Sequence, residues 1–150
     1  MAGDAVLVAH LTPGHTKGCT TWTFKVQEGG RSYNAVIIGS AQVNDGYQLL
    51  NNTKYPGIAA DYERTFKVLK SLPADIFLGS HGFFFELETK YARLQQAAGS
   101  AFVDPQGYQT YVADREQAFK AALAKEKPRM NVSVKPGVLG LAKALAAELR

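Results

Sequence analysis

The sequence predicts an α/β fold of the α+β kind, a mixed sheet with flanking helices. Three observations carry that expectation. Two alternating apolar runs bracket the Gly-rich turn Glu28-Gly29-Gly30-Arg31, the pattern of a β-hairpin. Two longer segments, Ile58 to Leu72 and Tyr108 to Lys127, repeat apolar residues at helical spacing. Between them, Asp75 to Gly79 reads as one more short strand.

Each element follows from its own residues. Ala5 to Leu11 is a short apolar run, expected as a buried strand, and Thr12-Pro13-Gly14 breaks it. From Thr20 to Val26 the chain alternates: Trp22, Phe24 and Val26 fall on one face, Thr21, Thr23 and Lys25 on the other. Tyr33, Ala35 and Ile37 alternate with Asn34, Val36 and Ile38 in the second hairpin strand. Gly39 to Pro56 is polar and Gly-rich, a loop long enough to suggest a binding role, and Tyr47, Leu49, Leu50 and Tyr55 favour an ordered one. In the first helix Ile58, Tyr62, Phe66 and Leu69 form one stripe, and Pro73 ends it. A second helix is expected over Glu86 to Ala98 and a third from about Tyr108 to Lys127, with Tyr111, Arg115, Phe119 and Leu123 near one face and Pro128 ending it. Residues 1–127 thus read as one domain unit. Residues 128–150 read as a linker, MNVSVKPG, and a short helical tail, VLGLAKALAAELR.

Composition narrows the classes. The chain has 150 residues, 46% hydrophobic and 20% charged, as in an ordinary globular domain. No apolar run approaches the ~20 residues that span a bilayer, so no membrane partner is expected. The start, MAGDAVLVAHL, has no basic residue, and His10 and Pro13 interrupt its apolar run, so no signal peptide is expected in this chain. Net charge is +4, but Lys and Arg are scattered, which argues against nucleic acid as partner. The one cysteine, Cys19, excludes an internal disulfide and a Cys-based zinc cluster, and reads as a small, partly buried strand residue.

Two histidines stand out. His15 follows Pro-Gly just after one strand, and His81 follows Gly-Ser just after another. Chemistry in layered α/β folds is often placed where strands hand over to loops, and neutral imidazole is a common zinc ligand. The alternative stands beside it: a histidine in a turn can simply hydrogen-bond its neighbours. His10 lies within a strand and reads as structural, or at most as a support behind a ligand. Two histidines are also fewer than the three protein ligands of a catalytic zinc.

The residues carry a resemblance at this point. AHLTPGHTKGCTTWTF resembles the strand, third-histidine turn and strand of metallo-β-lactamases. IIGSAQVNDGYQLLNNTKYPGIAADYERTFKVLKSLPADIFLGSHGFFFELETKY resembles the substrate loop, helix and last-ligand strand of the subclass with His rather than Cys on the second zinc. The likeness runs from about Gly3 to Lys127 and matches only the C-terminal half of such an enzyme. It implies half of an αββα sandwich, in which one sheet face packs on helices and the other on the partner sheet. It implies His15 as the third ligand of the first zinc and His81 as the last ligand of the second. It also implies a substrate-lining loop, with Ser40 and Asn44 as substrate-binding residues, although Ala41 and Val43 stand where the family often has hydroxyls. No residue is assigned a catalytic role. The family motif His-x-His-x-Asp-His, which supplies the remaining four ligands, does not occur among these histidines at 10, 15 and 81.

The family chemistry would be a zinc-activated hydroxide opening the β-lactam amide. The expected cofactor is zinc, two ions in a complete member and weak or no binding by this chain alone. Expected partners are a β-lactam small molecule and either the missing N-terminal half or a second copy of the chain covering the open sheet face. A full-length relative would be periplasmic or secreted. The abrupt start at a strand favours truncation. Two alternatives stand beside the β-lactamase reading: a non-catalytic or self-associating fragment of the same fold, and another hydrolase of that fold acting on thioesters or phosphodiesters. An acidic metal bridge, which such relatives carry after the second strand, has no counterpart between Gly39 and Val43.

Overall fold

The computed structural model of the chain describes residues 6–96 and 101–127, so the expected tail at 128–150 lies outside the described residues. Strands β1 (Val8–Leu11), β2 (Thr20–Glu28) and β3 (Arg31–Ile38) come first. Helix α1 (Ile58–Ser71) then crosses over to β4 (Ile76–Gly79). A 3-10 turn (Gly82–Phe85), helix α2 (Leu87–Gln96) and helix α3 (Pro105–Glu126) complete the order.

The four strands form one mixed sheet in the order β1-β2-β3-β4. The first two pairings are antiparallel and the last, β3 with β4, is parallel, which is why a helix must cross between them. Glu28 and Arg31 pair at the tip of the hairpin. Residues paired across strands share a face. Thr23, Val36 and Phe77 are thus on one face, and Trp22, Ile37 and Leu78 on the other. The first face carries the core. Val36, Ile38 and Phe77 bury against Ile58, Tyr62, Phe66 and Leu69 of α1 and Tyr108, Val112 and Phe119 of α3. Aromatic contacts hold this layer: the Phe119 ring lies 5.2 Å from Tyr62, and Phe77 lies 5.5 Å from Tyr108.

The aromatic face of β2 is the other one. Trp22 is 40% exposed and Leu11 57% exposed, with Phe24 and Ile37 half-buried on the same face. Thr21, on the helix side, is fully buried, and its hydroxyl is paired with that of Thr12 at 3.0 Å.

Several boundaries differ from expectation. Helix α3 starts at Pro105 rather than near Tyr108, because Asp104 caps it by accepting from Gly107 N at 2.8 Å and Pro suits the first turn. Its buried residues are Tyr108, Val112 and Phe119, and Tyr111 and Leu123 of the expected stripe pack partly buried against the same core. The segment after His81 first makes a 3-10 turn, and α2 begins only at Leu87. Lys90 in α2 is buried, and its ammonium meets Asp104 at 2.7 Å.

Candidate functional site

Strand direction gathers the candidate residues. Because β1 and β3 both run antiparallel to β2, and β4 runs parallel to β3, the C-terminal ends of β1, β3 and β4 share one edge. His15 follows β1, Ser40 and Asn44 follow β3, and His81 follows β4.

His15 sits in a turn closed by Thr12 N donating to Cys19 O at 2.9 Å and pinned to α1 by Thr65 Oγ1 donating to Pro13 O at 2.6 Å. Gly14 holds φ at +136°, and a Cβ there would lie 2.8 Å from the Tyr62 ring. Only glycine suits both demands. The half-buried His15 ring has Nδ1 3.0 Å from the carbonyl of Gln42. A carbonyl has no proton to give, so Nδ1 carries the hydrogen and donates it. In the neutral ring Nε2 then keeps a lone pair, the tautomer a metal ligand requires. Tyr47 stacks on the ring with centroids 5.9 Å apart, and its hydroxyl donates to the His15 carbonyl at 2.9 Å. The Gln42 carbonyl also accepts from the Tyr62 hydroxyl at 2.6 Å, and burial raises the Tyr62 phenol above its ordinary value.

His81 is exposed, at the head of the 3-10 turn. Its ring stacks on Phe83 at 5.3 Å and meets the edge of Phe84 at 5.2 Å. Its neighbour Ser80 donates from Oγ to the Gly39 carbonyl, and from N to Ile38 O at 3.0 Å. Cys19, expected as a partly buried strand residue, is buried just ahead of β2 and donates from Sγ to Ser40 O at 3.3 Å. The short segment Gly39 to Gln42 is therefore gripped from the His81 side at one end and by His15 at the other.

Ser40 is buried, with its Oγ accepting from Gln42 N at 3.3 Å. Asn44 is exposed, and its carbonyl accepts from Tyr47 N at 3.1 Å. A cavity of about 370 Å³ opens beside His15, lined also by Tyr47, Gln48, Asn52, Tyr55 and Ile58. The Tyr55 phenol there is pushed up to about 12 by burial and by its hydrogen bond to Asp61. His10 does not join this group: it lies on the helix-facing side of the sheet, with Nε2 2.8 Å from Thr23 Oγ1. One residue that shapes the loop has no local signal in the sequence. Glu126, at the end of α3, accepts from Leu49 N and Leu50 N at 2.8 Å each.

The donors fit a share of a metal site and not a complete one. Among the described residues no group of three His, Cys, Asp or Glu stands where it could hold a metal ion. A catalytic zinc takes three protein ligands and an open position.

No protein-family model matches the chain. Solved structures do. The native FEZ-1 metallo-β-lactamase from Legionella gormanii is 50% identical, with a TM-score of 0.81, over 83% of this chain and 48% of that one. BJP-1, a subclass B3 metallo-β-lactamase of Bradyrhizobium japonicum, is 33% identical, with a TM-score of 0.76, over 83% of this chain and 47% of its own. A metallo-β-lactamase of Cronobacter sakazakii is 34% identical, with a TM-score of 0.76, over 83% and 48%. The chain spans about half the length of the structures it matches. In sequence and in fold, this chain belongs with the metallo-β-lactamases, subclass B3 members among its matches, and corresponds to about half of one, consistent with a C-terminal half.

Proposed function

We propose that the chain is the C-terminal portion of a zinc-dependent β-lactam hydrolase, with His15 and His81 each giving one imidazole to one of two zinc ions. The observation that carries this reading is the His15 Nδ1 bond to Gln42 O, which leaves Nε2 as the free lone pair at a shared strand edge with His81. When bound, the ions would supply an acidified water able to open the amide. This chain's own residues orient the pieces. Tyr47 holds the plane of the His15 ring. The exposed Asn44 offers an amide to a substrate carboxylate, and Ser40 keeps its O–H to donate. In this reading the other four ligands come from outside these 150 residues, so the chain alone binds zinc weakly and turns over no β-lactam. The complementary half would cover the face that carries Leu11 and Trp22, and the complete protein would work in the periplasm or outside the cell.

The test mixes the chain with a segment bearing His-x-His-x-Asp-His and follows hydrolysis of a chromogenic cephalosporin with zinc. Turnover should need both pieces and vanish with His15→Ala or with His81→Ala. Turnover by residues 1–150 alone, or turnover indifferent to both substitutions, would sink the reading. A second reading, a non-catalytic module that self-associates, is favoured by one observation, the partly open aromatic sheet face. It predicts a dimer or larger in analytical ultracentrifugation and no complementation.

A further inference from the structure

We infer that Glu126 is a positioning residue for His15, acting through the loop that carries Tyr47. The inference rests on the reading above only in taking His15 as a ligand. From Gly39 to Gly57 the chain has neither helix nor strand, so side-chain contacts, some within it at Asn52 and some from outside, set its course. At Leu49 and Leu50 its backbone is held by a single side chain of α3. The Glu126 carboxylate accepts from Leu49 N at 2.8 and 2.9 Å, one bond to each oxygen, and from Leu50 N at 2.8 Å. Two successive amides aimed at one anion make a concavity of the kind that binds phosphate elsewhere, and here the anion is the chain's own. Bonds from amides to a carboxylate are charge-assisted and strong.

The consequence reaches the site through a short path. Leu49 is 3% exposed, so the clamp and the burial fix the same backbone. Only Gln48 separates it from Tyr47. Tyr47 stacks on His15 at 5.9 Å and donates to its carbonyl. The Gln42 carbonyl thus fixes the tautomer of His15, Tyr47 fixes the lie of its ring, and Glu126 fixes Tyr47. Glu126 is the last residue of α3, so its side chain can be changed without cutting into the packed length of that helix.

The experiment uses the full chain with Glu126→Ala and Glu126→Gln, read by NMR. In Glu126→Ala, the amides of Leu49 and Leu50 should exchange about tenfold faster, as expected for loss of charge-assisted bonds. The ring resonances of Tyr47 and His15 should move while those of Phe77 and Phe119 stay. Glu126→Gln keeps the size and one acceptor oxygen, and should restore part of both effects. Should the alanine variant unfold, the glutamine variant carries the same comparison with wild type. Unchanged exchange at Leu49 and Leu50 would overturn the clamp, and faster exchange with still rings at Tyr47 and His15 would overturn the link. Failure of complementation with the His-x-His-x-Asp-His segment would count against the hydrolase reading alone, since the NMR comparison needs no activity.

Discussion

Replacing Gly14 with alanine would strike the turn that presents His15 in two separable ways. The first is backbone strain. Gly14 holds φ at +136°, where an L side chain costs on the order of 1–3 kcal/mol. The second is overlap. The new Cβ would lie 2.8 Å from two atoms of the Tyr62 ring and 3.0 Å from a third. That ring cannot retreat easily: it is fully buried, with Phe119 at 5.2 Å on one contact and its hydroxyl tied to Gln42 O. Overpacking of this kind costs about 1–3 kcal/mol more. The sum is roughly 2–6 kcal/mol, a large share of the 5–15 kcal/mol typical of a domain. Gly46 supplies the control. It also holds a positive φ, +81°, but nothing lies within 4 Å of the Cβ it would gain. Gly46→Ala should therefore show the strain cost without the overlap. Urea unfolding followed by Trp22 fluorescence would compare the two midpoints. Gly14→Ala should lose about 1–3 kcal/mol more than Gly46→Ala. Equal losses would refute the overlap, and a Gly14→Ala loss under about 1 kcal/mol would refute the strain as well.

The same structure fixes further outcomes. Asp104→Asn should cost about 3 kcal/mol by thermal melt, because it leaves the buried Lys90 ammonium without its counter-charge; a change near zero would show the pair to be inert. The hydrogen bond from Lys90 first, and that from Gly107 N, hold the Asp104 carboxyl below its ordinary value, so its stabilisation is full above about pH 4 and is lost as pH falls through the lowered value; Asp104→Asn should flatten that acid limb. At the alkaline end, burial raises the Tyr55 and Tyr111 phenols to about 12 and pushes Tyr62 and Tyr108 up as well. Their neutral forms stabilise the fold fully below pH 10, and that contribution fades as pH rises further. Tyrosinate absorbance from Tyr62 and Tyr108, isolated by Tyr62→Phe and Tyr108→Phe, should then appear only together with loss of the circular dichroism signal, and its appearance near pH 10 in an intact fold would contradict this. Trp22→Ser should lower any self-association seen in ultracentrifugation, since Trp22 is 40% exposed on the open face; an unchanged distribution would remove that face from the contact.

Much of the fold was legible in short stretches of sequence. The hairpin could be read from alternation around Gly29-Gly30, and α1 from Ile58, Tyr62, Phe66 and Leu69, all of them buried. These patterns are local, because a strand or an amphipathic helix writes its buried face into its own period. What alternation could not settle was which face of β2 meets the helices. Its aromatic face looks like the core, yet Thr21 is fully buried on the helix side while Trp22 stands partly open. Period two separates faces without ranking them, and the ranking depends on where α1 and α3 lie. The start of α3 also has a local signal, Asp104 as cap before Pro105, which the apolar spacing counted from Tyr108 does not include.

Residues alone were enough for the element types, the two histidines at strand ends, and the likeness to half of a metallo-β-lactamase. All three rest on residue order and spacing, which survive without coordinates. Tertiary structure alone decided that His15 donates from Nδ1 to Gln42 O, and that Glu126 closes on Leu49 across a separation of 77 residues. Hydrogen bonds between residues so far apart in sequence leave no period for a pattern to detect. They exist only once the sheet has aligned β1, β3 and β4, and the last turn of α3 has come to rest beside the loop.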